Sequence, residues 1–279
     1  MDSPELNHRQ LGIFMLIGLA IFLLLNLPKV FETRTVVVFC DVGQGDAIYL
    51  RIDNKIDLLI DAGPDRKIID CLSKHMPFFD RTIEAAFISH PQADHFNGFT
   101  FVLDRYHVQN LYVSKNDFTK SFYRDLILKF EKAKTKITLI TAGTSLGFNR
   151  STLSVLWPTQ KTLQQTTPSV DTNYFSQILL FKEGAWTILF TGDAQMGAVS
   201  KLSSSIIEKI DVIKIPHHGS KKGLTPGFLK LAEPKVSVIS VGVKNRFGHP
   251  ADSTLELLKA LKSQIRRTDK EGDIIFRLN

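Results

Sequence analysis

Ala85-Ala86-Phe87-Ile88-Ser89-His90-Pro91-Gln92-Ala93-Asp94-His95, residues 85–95, runs from a buried, strand-like apolar stretch straight into two histidines and a carboxylate. Three more stretches repeat that arrangement. The apolar segment 212–215 leads to Pro216-His217-His218-Gly219-Ser220, the segment 236–241 to Phe247-Gly248-His249-Pro250, and the segment 186–190 to Thr191-Gly192-Asp193. Strands that share a sheet edge bring such distant side chains together. Imidazole nitrogen with carboxylate oxygen is the donor set of zinc and also suits manganese or iron, and a catalytic site leaves one position open for water. Pro91 forbids a continuous helix through the first cluster, so His90, Asp94 and His95 are expected to converge from a loop.

Taken singly, these pieces are ordinary. A strand-end histidine such as His249 is usually a hydrogen-bonded structural residue, and Thr191-Gly192-Asp193 alone reads as a turn with an Asx bond. His8, His75 and His107 have no such company, and no role is read for them. The ordered set of His-x-x-x-Asp-His, Thr-Gly-Asp and His-His-Gly-Ser is different, because it concentrates metal donors at loop positions.

Working outward, residues 35–40 form a β-branched run, and Gly43-Gln44-Gly45 separates it from a strand at 47–52, a hairpin pattern. Further strands are predicted at 56–60, 111–113, 137–140, 153–156 and 178–181, with helices at 67–74, 121–132, 226–231 and 254–262. The mixture indicates an α/β domain of layered sheets over residues 35–279. Residues 11–27 are seventeen almost wholly apolar positions between Arg9 and Pro28-Lys29. At 1.5 Å per residue they reach about 25 Å, close to a bilayer's hydrocarbon core. Asp2 and Glu5 precede them and no small-x-small cleavage site follows, so residues 1–34 read as an uncleaved membrane anchor and linker. Basic residues flank the segment almost evenly, so charge does not orient it.

Of the 279 residues, 43% are hydrophobic and 23% charged, which excludes a disordered chain. Two cysteines do not make a thiolate zinc site or a disulfide scaffold; Cys40 reads as a strand residue and Cys71 as a helix residue, joined only if the fold brings them together. Residues 201–279 hold 15 Lys and Arg against 8 Asp and Glu, and so account for the whole net charge of +7. Lys221-Lys222 and Lys244-x-Arg246 lie beside the histidine motifs. Such a surplus suits a polyanion, and equally an anionic lipid surface.

Asp41-Val42-Gly43-Gln44-Gly45-Asp46-Ala47, Leu59-Ile60-Asp61-Ala62-Gly63, residues 89–98, Thr191-Gly192-Asp193-Ala194, residues 214–220 and residues 240–250 together resemble the metallo-β-lactamase domain of the ComEC competence proteins. Arg267-Thr268-Asp269 followed by Gly272 is similar to that family's closing strand region. The resemblance implies a metallo-β-lactamase-like αββα sandwich with its metal site at the sheet edge. It also implies DNA as a nucleic-acid partner, a place outside the cytoplasmic membrane, and a separate channel protein as neighbour, since this chain carries one candidate span. His90, Asp94 and His95 correspond to the family's second motif, Asp193 to the bridging carboxylate, and His217 or His218 to the last ligand. Asp61 corresponds to a residue that orients ligands. Taking His217 as ligand leaves His218, with Lys214 or His249, to stabilise an oxyanion or protonate a leaving oxygen beside Asp94. Asp41, Asp46, Gln92, Ser220 and His249 are expected around the ligands or the substrate.

Two departures stand out. Gln92 replaces a ligand, and Val155-Leu156-Trp157-Pro158 stands where many relatives supply a histidine. A neutral amide oxygen is a poor substitute, and indole offers no lone pair. One Zn or Mn ion is therefore expected, not two. The reading is a membrane-anchored metal-dependent hydrolase, a phosphodiesterase or nuclease acting on DNA during uptake. Its alternatives are a non-catalytic DNA-binding or assembly subunit with a degenerate site, and an esterase of small phosphodiesters or phosphocholine.

Overall fold

The computed structural model describes residues 8–114, 121–164, 171–202 and 209–279; Asp2 and Glu5 lie outside these. In chain order the strands are β1 Thr35–Phe39, β2 Ala47–Ile52, β3 Ile56–Ala62, β4 Thr82–Ile88, β5 His107–Val113, β6 Lys136–Leu139, β7 Ser145–Phe148, β8 Ser151–Trp157, β9 Ile178–Glu183, β10 Trp186–Phe190, β11 Val212–Lys214, β12 Val236–Ile239, β13 Gln264–Arg267 and β14 Ile274–Leu278. They form two seven-stranded sheets, ordered β14-β1-β2-β3-β4-β5-β6 and β13-β12-β11-β10-β9-β8-β7. Strand β14 returns to pair antiparallel with β1, Thr35 opposite Leu278. The fold is the metallo-β-lactamase sandwich.

Alternation along the strands builds three apolar layers. Val37 and Phe39 of β1, Ala85 and Phe87 of β4, and Ile188 and Phe190 of β10 face the space between the sheets. Val38, Ala86 and Ile88 face outward beneath the helices Lys67–His75, Phe99–Leu103 and Ser121–Lys132. Leu189 does the same on the other sheet, beneath Pro226–Ala232 and Asp252–Ala260. Both faces of each sheet are covered, so the central strands read as continuous apolar runs. Helix Ser121–Lys132 buries Tyr123, Leu126, Ile127 and Phe130, a spacing that makes one stripe. Helix Pro226–Ala232 starts where Thr225 Oγ1 accepts the Phe228 N–H at 3.1 Å and Pro226 occupies the first turn.

Helix His8–Phe31 has mean hydropathy 2.4 over its best window, which is unburied, and is long and apolar enough to cross a membrane. It meets the sandwich along its C-terminal half. The ring of Phe22 sits edge-on to Phe78 at 4.7 Å, Lys29 Nζ donates to the Ser73 carbonyl, and the Asn54 amide donates to the Val30 carbonyl.

Cys40 and Cys71 do meet: their Cα atoms are 5.9 Å apart and their sulfurs are bonded. The disulfide ties the exit of β1 to the helix Lys67–His75. One local expectation is corrected. Pro91 stops any helix from running through the first cluster, but a short helix, Ala93–Phe96, begins right after it and carries Asp94 and His95.

Candidate metal centre

Strands β3 and β4 are parallel neighbours in one sheet, and β10, β11 and β12 are parallel neighbours in the other. Their carboxyl ends therefore open on the same edge, where an open α/β sheet places its ligands. Asp61 leaves β3 there, His90 follows β4, Asp193 follows β10, and His217 and His218 follow β11. Asp61, His217 and His218 all adopt left-handed backbone, with φ of 56°, 50° and 53°. That conformation costs a non-glycine residue of order 1–3 kcal/mol and persists where the surroundings impose it. Close packing makes the convergence possible. A Cβ on Gly98 would lie 1.9 Å from the Ala62 carbonyl oxygen, so only glycine lets the segment after His95 press against β3. A Cβ on Gly192 would lie 2.3 Å from Ser176 Oγ, so the turn to Asp193 needs glycine equally.

Four donors gather: one atom each from Asp94, His95, Asp193 and His218, all within 4.8 Å of one another. His95 Nε2 is 3.3 Å from Asp193 Oδ1, and His218 Nε2 is 3.4 Å from both Asp94 Oδ2 and Asp193 Oδ2. Neighbours fix how the rings present themselves. His95 Nδ1 lies 2.8 Å from Asp61 Oδ2, and His218 Nδ1 donates to the Ser240 carbonyl at 3.0 Å, so both rings turn Nε2 inward. Asp61 also accepts the backbone N–H and the hydroxyl of Ser89, at 2.8 and 2.7 Å. Since the Ser89 proton is committed to Asp61, Ser89 Oγ accepts from His90 Nδ1 at 3.0 Å, which leaves His90 Nε2 bare. His90 Nε2, His95 Nε2, His218 Nε2 and Asp193 Oδ1 are buried without a hydrogen-bond partner. Buried polar atoms rarely go unsatisfied, and a cluster of lone-pair atoms facing one another is what a cation satisfies.

The charges agree with that. Burial opposes protonation of His95 and His218, but the surrounding carboxylates outweigh it: Asp193, Asp61 and Asp46 raise His95 well above its usual value, and Asp193, Asp46 and Asp94 bring His218 to about 9. Burial also opposes ionisation of Asp193, which the His218, His95 and Lys214 charges nonetheless hold well below the carboxylate range. His90 is pushed down to about 3 by burial and then by His95. It is a neutral donor at pH 7.

The remaining expected residues divide clearly. His218, read as a proton donor, stands inside the quartet; His217, read as the ligand, lies at the rim, its Nε2 3.8 Å from Asp193 Oδ2 and its side chain 23% exposed. The two adjacent left-handed residues decide which ring turns in. Lys214 does not reach the opening. It is fully buried, its Nζ donates to the Gly192 carbonyl at 2.7 Å and pairs with Asp46, and it lies 3.6 Å from Asp193 Oδ1, so it props the Asp193 carboxylate from below. Asp46 also lies 3.4 Å from His218 Nδ1. Gln92 turns its amide away, donating to Asn173 Oδ1 and to Thr172 Oγ1. Trp157 is core, its indole N–H on the Tyr174 carbonyl at 2.6 Å. Ser220 shapes the turn, its N–H on the His217 carbonyl. Asp41 accepts the Gly43 N–H and so builds its own loop. His249 packs against both histidines of the pair, ring centroids 5.7 and 6.4 Å away.

A groove of about 810 Å³ opens beside Asp94, lined also by Gln44, Lys67, Gln92, Arg246 and Phe247. The parts played by Ser89, the Ser240 carbonyl and Asn173 escape sequence reasoning, since nothing in their own residue types marks them.

Fold and buried donors together define a domain of the metallo-β-lactamase fold with a candidate divalent-metal site. The chain is a distant homologue of bacterial competence proteins over most of its length. It is 25% identical over 255 residues to ComE operon protein 3 of Bacillus subtilis (strain 168), covering 85% of this chain and 32% of that protein. It is 25% identical over 282 residues to Recombination protein 2 of Haemophilus influenzae, covering 98% of this chain and 33% of that protein. The chain thus spans about a third of the length of these curated relatives. The metallo-β-lactamase fold protein YhfI of Bacillus subtilis superposes with a TM-score of 0.57 at 14% identity, covering 88% of this chain and 99% of YhfI. No family model matches the chain.

Proposed function

We propose that this chain is a metal-dependent phosphodiesterase that acts on nucleic acid in DNA uptake, with residues 1–34 anchoring the hydrolase domain of residues 35–279 in a membrane. The observation that carries the reading is the quartet Asp94, His95, Asp193 and His218: His95 Nε2, His218 Nε2 and Asp193 Oδ1 are buried without a hydrogen-bond partner, and half-buried Asp94 joins them to an open groove. Two imidazoles and two carboxylates suit Zn or Mn. When bound, a divalent cation supplies Lewis-acid polarisation of a phosphoryl oxygen and acidifies water.

The chain's own residues do the rest. Asp61 and the Ser240 carbonyl hold the two ligand rings in one tautomer, and Lys214 with Asp46 fixes the floor. Asp94, with its side chain 31% exposed, brings the site to the groove. His217 and His249 stand at the rim, where an imidazole is within reach of a leaving oxygen. One ion is proposed, not two: beside His90 the Gln92 amide is engaged with Asn173 and the indole of Trp157 is turned to Tyr174.

The Cys40–Cys71 disulfide supports placement on the extracytoplasmic side, because such bonds persist in oxidising compartments. The basic C-terminal quarter supports a polyanionic substrate, and the relatives' names supply the competence context. The altered Gln92 and Trp157 favour the second reading, a non-catalytic DNA-binding subunit. Purified full chain decides between them. Metal content near one ion per chain, with cleavage of a labelled oligonucleotide that Asp193→Asn abolishes, supports the enzyme; stoichiometric metal-free protein that binds DNA without cutting it refutes it.

A further inference from the structure

We infer that Phe247 and Arg246 form a nucleobase-stacking subsite on the groove wall, one that takes the face of a single base beside the metal centre. The inference rests on the phosphodiesterase reading for its setting and on separate residues for its argument. Phe247 is 55% exposed and belongs to no apolar cluster of the core. It is nevertheless held in place. Asn245 Oδ1 accepts the backbone N–H groups of Phe247 and His249, at 3.2 and 3.0 Å, and Asn245 Nδ2 donates to the His249 carbonyl at 2.7 Å. The turn is knotted around one amide, which pre-pays the ordering a loop otherwise loses on binding.

The ring's position says what it would meet. Phe247 lies nearly parallel to His249, centroids 5.9 Å apart and planes 28° from each other, and His249 lies 6.4 Å from the ligand ring of His218. A row of flat rings therefore leads from open solvent to the metal centre, within the reach of a short stretch of single strand. The Arg246 guanidinium covers the Phe247 ring at 5.1 Å. A base taking that place would free the guanidinium for a phosphate, and Lys67 lines the same groove. Aromatic face and cation together are how single strands are held without sequence preference, and a duplex, whose bases are already stacked, offers no free face.

The test is binding of fluorescent, cleavage-resistant phosphorothioate strands to the full-length chain in detergent. A short oligothymidylate is compared with a strand of equal length made of abasic residues. Wild type should prefer the base-bearing strand by about tenfold, Phe247→Ala should lose that preference, and Phe247→Trp should keep it. Equal affinity of wild type for the two strands, or an undiminished preference in Phe247→Ala, overturns the subsite. Cleavage of ordinary oligonucleotides without this preference would leave the phosphodiesterase standing and the subsite refuted. The preference without metal-dependent cleavage would do the reverse.

Discussion

Asp61 Oδ2 and His95 Nδ1 sit 2.8 Å apart with both side chains buried, so one carboxylate sets the face that a metal-directed imidazole presents. Such outer partners commonly account for 10–100-fold in metal affinity. Asp61→Asn keeps the shape but removes the charge and puts an N–H where an acceptor stood. Zinc affinity, measured by chelator competition, should fall by about 10–100-fold while the circular dichroism spectrum is retained. Unchanged affinity would mean that His95 is not a ligand.

Trp157 tests the opposite point, that a position where the resemblance leads one to look for a ligand is part of the core. Trp157→Ala empties a buried site between Tyr174 and the apolar layer and should cost about 3–5 kcal/mol in urea unfolding. Metal stoichiometry of the fraction that remains folded should not change. A drop in bound metal at unchanged stability would contradict the assignment.

Reduction of the Cys40–Cys71 bond releases a loop with a sequence separation of 31 residues. The chain-entropy argument puts its loss at about 3–4 kcal/mol. Cys71→Ser should lower the denaturant midpoint accordingly, and a reductant should do the same to wild type but nothing further to the variant. Identical midpoints for all of these would show that the bond does not form.

Asp273 supplies a pH signature away from the centre. Burial disfavours its charge, but hydrogen bonds from the His75 ring, the Asp41 N–H and Lys74 outweigh that and hold the carboxyl far below the usual range. A carboxyl depressed on folding stabilises above its unfolded value near 4 and loses that contribution as the pH falls through and below it. Asp273→Asn should therefore lower Tm at pH 7 by about 2–4 °C, with the difference starting to shrink below about pH 4 and closing only in strong acid, below the depressed value of the folded carboxyl. A gap that persists in acid would mean that the effect is packing, not charge.

The sandwich and the ligand group differ in how far residue order reveals them. The central strands were readable because burial on both faces leaves runs such as Trp186–Phe190 uninterrupted. Of the edge strands, β6 is legible at 137–140, but β7, which carries Gly147, and β13, which carries Arg266 and Arg267, are not, because edges are kept short and polar. Asp94 and His95 are legible as neighbours, and Asp193 as the end of a strand. Choosing between His217 and His218 is not, since it depends on two consecutive left-handed residues that no composition announces. The roles of Ser240 and Asn173 are equally hidden, one acting through its carbonyl and the other through an amide that the Gln92 amide meets.

The sulfur bridge sits one residue before the loop that carries Asp46 to the underside of the ligand histidines. A reductant would therefore act on the donor cluster from a distance: with the tie to the helix Lys67–His75 gone, the loop is held by its strands alone, and the carboxylate beneath His218 loses one of its anchors while no ring is touched.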